Sequence, residues 1–316
     1  MERSCKILRR SIHNFLKNYQ YFTTASLLLA FPFSAALLLS QSLLPSSPLL
    51  FTIHNHLNSL FEAAGFPPSS QLFTILNLKI SQTITSSILV LPFTLSFLLI
   101  SKASVIQFLS DHQNPCLSSF LSIYNSILLT QFCNSFLILS ANATCFSLLF
   151  VSFSCLEASG YSSTASLLLL SAAGAILYSI ILANSFLVCN LALVASGMDK
   201  SGGLLAILKA CVLIRGRTAT ALALAIPVNL GLAAVEALFQ YRVVRAFHAS
   251  TSSTALQGIL IAYMYSMIVV IDTIVYCEFF KTCKKGGSSI DLDEGAYAYY
   301  QIGTEGRNGK TMEEIP

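Results

Sequence analysis

Six apolar runs, each long enough to cross a bilayer, leave this chain little choice of fold. They lie at 21–44, 80–100, 121–151, 164–194, 218–240 and 255–277. Lipid offers no partner to a backbone amide, so a spanning segment must satisfy its own hydrogen bonds, and runs this long do so as helices. The first run exceeds the roughly 7 to 15 residues of a signal-peptide core, which makes it a retained span. The expected fold is an all-α polytopic membrane bundle of about six transmembrane helices. Pro32, Pro92 and Pro227 fall inside spans one, two and five, where each frees a carbonyl and favours a kink.

The residues outside the runs agree. With 54% apolar and 10% charged residues and a mean hydropathy of +0.70, too little polar surface remains to cover a soluble globule. Six spans and their connections use nearly all of the 316 residues, leaving no room for a soluble catalytic domain. The organisation expected is a basic amphipathic segment at 1–20, a six-span membrane domain at 21–283 and a disordered cytosolic tail at 284–316.

Basic residues set the expected topology, because short loops rich in Lys and Arg stay cytosolic. Fifteen of the 18 fall on one side, among them Arg3, Lys6, Arg9, Arg10 and Lys17 before span one, Lys102 after span two, and Lys200, Lys209, Arg215 and Arg217 after span four. The opposite side holds Lys79, Arg242 and Arg245. Both termini are therefore expected in the cytosol, in the endoplasmic reticulum, another endomembrane or the plasma membrane. The net charge of +4 then points to anionic lipid headgroups as partners, and nucleic acid gains no support.

Within the first segment Arg3, Lys6, Arg10, His13 and Lys17 recur at spacings of three and four, and so do Cys5, Leu8, Ile12, Phe15 and Tyr19 two positions later. Such a helix can lie in the headgroup layer, with Arg3, Lys6, Arg10 and Lys17 as its candidate lipid-binding residues. A plain topogenic flank is the other reading. Cys5 and Cys283 have the juxtamembrane setting favoured for S-acylation.

An internal correspondence at an offset of 87 residues pairs Leu117 with Leu204, Ile127 with Ile214 and Asn142 with Asn229. Each cytosolic connection passes a helix-breaking pair, Asn114 with Pro115 or Gly202 with Gly203, into an apolar stretch. This predicts two parallel hairpin repeats with cytosolic interfacial helices. Small residues at four-residue spacing, Ser171, Ala175, Ser179 and Ala183 on span four and Ala221, Ala225, Asn229, Ala233 and Ala237 on span five, predict that these helices pack together.

The candidate intramembrane polar site comprises Asp272, Glu236, Asn229, Asn184, Asn134 and Gln131. The amides, at similar depth, are expected to form a polar layer that acts as interhelical glue or as substrate ligands. Acids within spans are expensive and mark function or pairing. Arg242 and Arg245 are the expected partners of Glu236, and Arg215 and Arg217 those of Asp272. The five histidines are scattered; His54 and His56 with Glu62 make only a weak metal pattern, and no phosphate-binding glycine loop is present. No catalytic residues, cofactor or metal are expected. In the tail, Tyr299 and Ile302 frame a tyrosine-x-x-apolar sorting motif through which protein partners could bind.

The stretches 197–203 (GMDKSGG), 209–217 (KACVLIRGR) and 238–245 (LFQYRVVR) resemble a plant family of uncharacterised multi-span transmembrane proteins, over most of the chain. The hairpin plan is more distantly similar to the membrane domain that accompanies bacterial glycerophosphodiester phosphodiesterases, whose soluble barrel has no counterpart here. These resemblances imply topology and supply no activity. The function expected is that of a non-catalytic membrane organiser or adaptor, with a small-solute or ion transporter and a membrane-embedded lipid enzyme as alternatives.

Overall fold

The computed structural model describes residues 2–44, 47–63, 71–110, 117–158, 164–245 and 252–287. Among them the chain forms eleven α-helices and no strand: α1 (Glu2–Lys17), α2 (Tyr19–Ala25), α3 (Phe31–Leu43), α4 (Pro48–Ala63), α5 (Gln71–Phe93), α6 (Leu99–Ser110), α7 (Leu117–Ala158), α8 (Thr164–Asp199), α9 (Leu204–Ile214), α10 (Thr218–Phe239) and α11 (Ser252–Gly287). Short π-helical turns join α2 to α3 at Ser26–Ala30 and α5 to α6 at Thr94–Leu98, and another extends α10 at Gln240–Val244. Six helices are long and apolar enough to cross a membrane: Tyr19–Leu43, Asn77–Ser110, Ser118–Leu156, Leu168–Asp199, Thr218–Val244 and Ala255–Lys284. The protein is thus an all-α, multi-pass membrane protein.

The side of the bundle that holds α1 and α9 is termed the near side, and the side that holds α4 the far side. Two compact units divide the chain, Met1–Phe280 and Lys281–Pro316. The tail from 288 onward, with Tyr299 and Ile302, lies outside the described residues.

Two of the three intraspan prolines coincide with a widened turn. Pro32 follows the π turn at Ser26–Ala30, and Pro92 precedes the one at Thr94–Leu98. A proline removes one i→i−4 bond and crowds the preceding turn, and a π turn absorbs the mismatch without breaking the helix. Hydroxyls help at the second site: Ser96 Oγ donates to the Pro92 carbonyl (2.6 Å) and Thr94 Oγ1 to that of Val90 (3.1 Å). Pro227 is carried within α10.

The apolar core joins spans one, two, five and six. Phe33, Leu38, Val90, Phe239, Ile261 and Val269 are its centre. The π-jointed second span runs on to Ser110, beyond the expected end at residue 100. The α7–α8 pair forms a long hairpin drawn together by Gly174, where any Cβ would run into the Leu149 side chain. Toward the near side Gly197 passes against Ile106 and Ile127, and Gly202 against the Ser126 backbone. Gly203, at φ +74°, donates its N–H to Thr130 Oγ1 (2.9 Å), and Ser126 Oγ donates to the Ser196 carbonyl (3.2 Å). The turn into α9 is therefore stitched onto α7, and the positive φ explains a glycine at that point.

Two packing expectations need correction. The small-residue ridges of spans four and five do not meet: Ala175, Ser179 and Ala183 are exposed, as are Asn229, Ala233 and Ala237. The inward stripe of α10 is instead Ala221, Leu224, Ala225, Val228 and Phe239, and Gly231 and Phe239 lie against α11. Small residues permit a close approach but do not choose the partner, and here α8 spends its tight contacts on α7. The repeat also holds unevenly. The second connection carries a separate surface helix, α9, whereas the apolar stretch from Leu117 is the first turn of the 42-residue α7.

Candidate functional site: a charged cluster inside the bundle

Lys102 departs most from its sequence reading. Expected in a cytosolic loop, it sits inside α6 on span two and is 9% exposed. The apolar pattern resumes after it, at Val105, Ile106 and Leu109, so the helix continues and carries the ammonium inward. Its Nζ donates to Asn190 Oδ1 on α8 (3.2 Å). A side-chain hydrogen bond also links Asn190 to Tyr276 on α11. Asp272, one turn before Tyr276, is the acidic charge within electrostatic reach of Lys102, as are the Cys189 and Cys277 thiols. Spans two, four and six thus meet around a cation, a carboxylate, an amide and a phenol.

Asp272 therefore lies within electrostatic reach of Lys102, and among the described residues no ion pair joins it to the arginines after α9. The other expected acid behaves differently: Glu236 accepts a hydrogen bond from Tyr265 Oη (3.1 Å), while Arg245 stacks over the Tyr241 ring at 5.8 Å. A third acid escaped the sequence reading because span six runs past residue 277. Glu278 is 4% exposed, and its Oε1 accepts from Asn14 Nδ2 of α1 (3.0 Å). Buried acids of this kind are tolerated when a neighbour donates to them or balances their charge.

The amides do not assemble into a layer. Asn134 is 2% exposed and donates from Nδ2 to the Cys189 carbonyl (3.0 Å), tying α7 to α8 beside the cluster, and among the described residues its Oδ1 has no hydrogen-bond partner. Asn184 and Asn229 are exposed and bond back to their own helices, at the carbonyls of Ile180 and Ala225. Gln131 is half-buried on α7. Similar depth brought these residues into one group, but rotation about each helix axis sends two of them outward. Besides Asn134, interhelical amide bonds use Asn190 and Asn142, the latter accepting from Tyr178 Oη (3.1 Å). Tyrosine and lysine positions that face an amide were the missing signal.

The N-terminal helix forms as expected, with a different row turned inward. Ser4, Ile7, Ser11 and Phe15 are buried, while Cys5, Ile12, Leu16 and Tyr19 are exposed. Lys6, Arg10 and Lys17 are exposed with Arg9 and His13; the side chain of Arg3 lies outside the described residues. Cys283 is buried, which removes the exposed thiol that acylation requires, whereas Cys5 is exposed.

A sequence family described as "Domain of unknown function (DUF8558)" matches residues 3–291. No curated protein and no solved structure matches the chain.

Proposed function

Starting from the chain's membership of the DUF8558 family, which carries no activity to inherit, we propose that this protein is a non-catalytic membrane organiser that receives another transmembrane helix on the outer face of α8. The observation that supports it is the ridge Ala175, Ser179 and Ala183, at four-residue spacing and exposed. Such ridges drive helix association in lipid, where apolar surface alone gives no preference for a neighbour. Asn184, beside the ridge and bonded only within its own helix among the contacts described, adds a polar group that a partner helix could engage. The basic residues before span one and after span four favour both chain ends in the cytosol, in an endomembrane or the plasma membrane.

The test is affinity purification from native membrane with Ala175→Leu and Ala183→Leu together. An organiser loses a co-purifying protein while its own melting temperature in detergent is unchanged. Retention of every partner overturns the reading.

A second reading, a small-solute or ion transporter, is favoured by the Lys102, Asn190, Asp272 and Tyr276 cluster, since ionisable groups inside a bundle often mark a transport path. Asp272→Asn in proteoliposomes separates the two. Loss of flux with a retained fold selects transport, and intact partner binding without any flux selects the organiser.

A further inference from the structure

Around α1 the side chains form three rows, each about 100° further round the helix than the last. Ser4, Ile7, Ser11 and Phe15 are the buried row. Next come Leu8, Ile12, Leu16 and Tyr19, of which Ile12 is 46%, Leu16 62% and Tyr19 56% exposed. The third row is Arg9, Arg10, His13 and Lys17, all exposed. The helix is fixed in this rotation. Asn14 is bonded to Glu278, Phe15 stacks on Phe22 at 5.8 Å, and the chain turns directly into span one through Asn18, whose carbonyl accepts from Phe22 N (3.2 Å).

We infer that α1 is a preset docking surface for an anionic membrane leaflet, with its Leu8/Ile12/Leu16 row seated among acyl chains and its Arg9/Arg10/Lys17 row on lipid phosphates and carboxylates. Continuity with span one holds the helix at headgroup depth, because only Asn18 separates α1 from the first residue of the span. At that depth an apolar row is solvated by lipid, and a cationic row beside it meets the negative surface potential. A free basic tail would have to order itself on binding. This helix is already ordered by its buried row, so its charges act together on one patch of leaflet.

The second near-side surface helix provides a control within the same molecule. On α9, Leu204, Leu205, Leu208 and Val212 are each at least 60% exposed, but Lys209 is turned to Asp199 at 3.5 Å. At Leu208 the adjacent cation is already balanced, and the exposed Arg215 lies past the end of the helix, so this row should contact lipid with little choice of headgroup charge. The proposal is independent of the ridge on α8.

The chain contains no tryptophan, so a single introduced indole reports one position without background. Full-length Ile12→Trp and Leu208→Trp are reconstituted separately into nanodiscs that contain brominated phosphatidylserine or brominated phosphatidylcholine at equal mole fraction. Quenching at position 12 is expected to be several-fold more effective with the brominated serine lipid, and quenching at 208 the same with either. Arg9→Gln with Arg10→Gln should erase the difference at 12, since each basic residue near an anionic leaflet supplies about a fivefold preference. These arginines are exposed, and an unchanged melting temperature confirms that the double variant is folded. Equal quenching by both lipids at position 12 overturns the charge recognition. An indole at 12 that neither lipid quenches overturns the docking itself: quenching by aqueous iodide then shows a water-facing row, and protection from iodide shows a row covered by protein.

Discussion

The third and sixth spans are almost equally apolar, with mean hydropathies of 1.9 and 2.0 in their most apolar stretches, yet 6% of the first stretch is buried inside the protein and 50% of the second. Along span three Phe136, Leu139 and Leu148 point outward; along span six Ile261, Val270, Ile274 and Val275 are enclosed. In water such sequences would compete equally for a core. In a bilayer lipid tails solvate leucine as well as another helix does, so hydropathy decides that a helix spans and says nothing of which helix is central. What distinguishes α11 is polar: Tyr265 bonds to Glu236, Tyr276 to Asn190, and Asp272 lies within electrostatic reach of Lys102.

The largest expected effect breaks this contrast at its charged point. Lys102→Met removes the hydrogen bond to Asn190 and the cation within electrostatic reach of Asp272, and should lower stability by about 2 to 4 kcal/mol, the cost of a lost charge-assisted bond and a buried carboxylate left unbalanced. Lys102→Met combined with Asp272→Leu should recover most of that loss, because a well-packed apolar replacement of both charges is close to neutral. Thermal melting in a mild detergent measures both variants. A double variant as unstable as the single one would mean that Asp272 does not interact with Lys102 in the way its position implies.

Packing should separate the two kinds of surface next. Ala225 is 6% exposed and Leu260 is 62% exposed. Ala225→Leu should cost about 1 to 3 kcal/mol by overpacking, while Leu260→Ala changes only a lipid-facing side chain and should cost much less. Equal losses would place Leu260 in an interface that the single chain does not show.

The sequence was most informative where a one-dimensional rule applies. Length and hydropathy located six spans, because a helix in lipid needs only enough consecutive apolar residues. Read by charge alone, span two ends at Ile100, because Lys102 looks like the start of a loop, although Val105 and Ile106 carry the apolar pattern onward into the bundle. The site failed for a related reason. Asp272 and Asn134 read as intramembrane polar residues, but the groups they act on, Lys102 and the Cys189 carbonyl, sit on other helices whose rotation no spacing rule fixes. Small-residue ridges misled in the same way: the residues of span four that seemed bound for span five face outward, and Gly174, outside the four-residue register, makes the close approach.

The smallest expected effect compares two asparagines that look alike in sequence and occupy opposite environments. Asn134 is buried between α7 and α8, and its bond to the Cys189 carbonyl joins two helices. Asn184 is exposed, and its amide returns to Ile180 on the same helix. Interhelical amide bonds in bilayers contribute about 0.6 to 2 kcal/mol. Asn134→Ala should therefore lose an amount in that range, reduced somewhat because the unpaired Oδ1 disappears with the rest of the side chain. Asn184→Ala removes a local bond that competes with the helix's own ladder, so the detergent-solubilised single chain should melt within a few tenths of a kcal/mol of the parent. The same variant in native membrane sharpens the comparison further. If a partner helix lies against Ala175, Ser179 and Ala183, the Asn184 amide is within the surface that it covers, and Asn184→Ala should weaken recovery of that partner while leaving the solubilised chain unaffected. An equal loss for Asn134→Ala and Asn184→Ala in the solubilised chain would show that rotation of α8 has been misread, and that its outer face is packed within the protein.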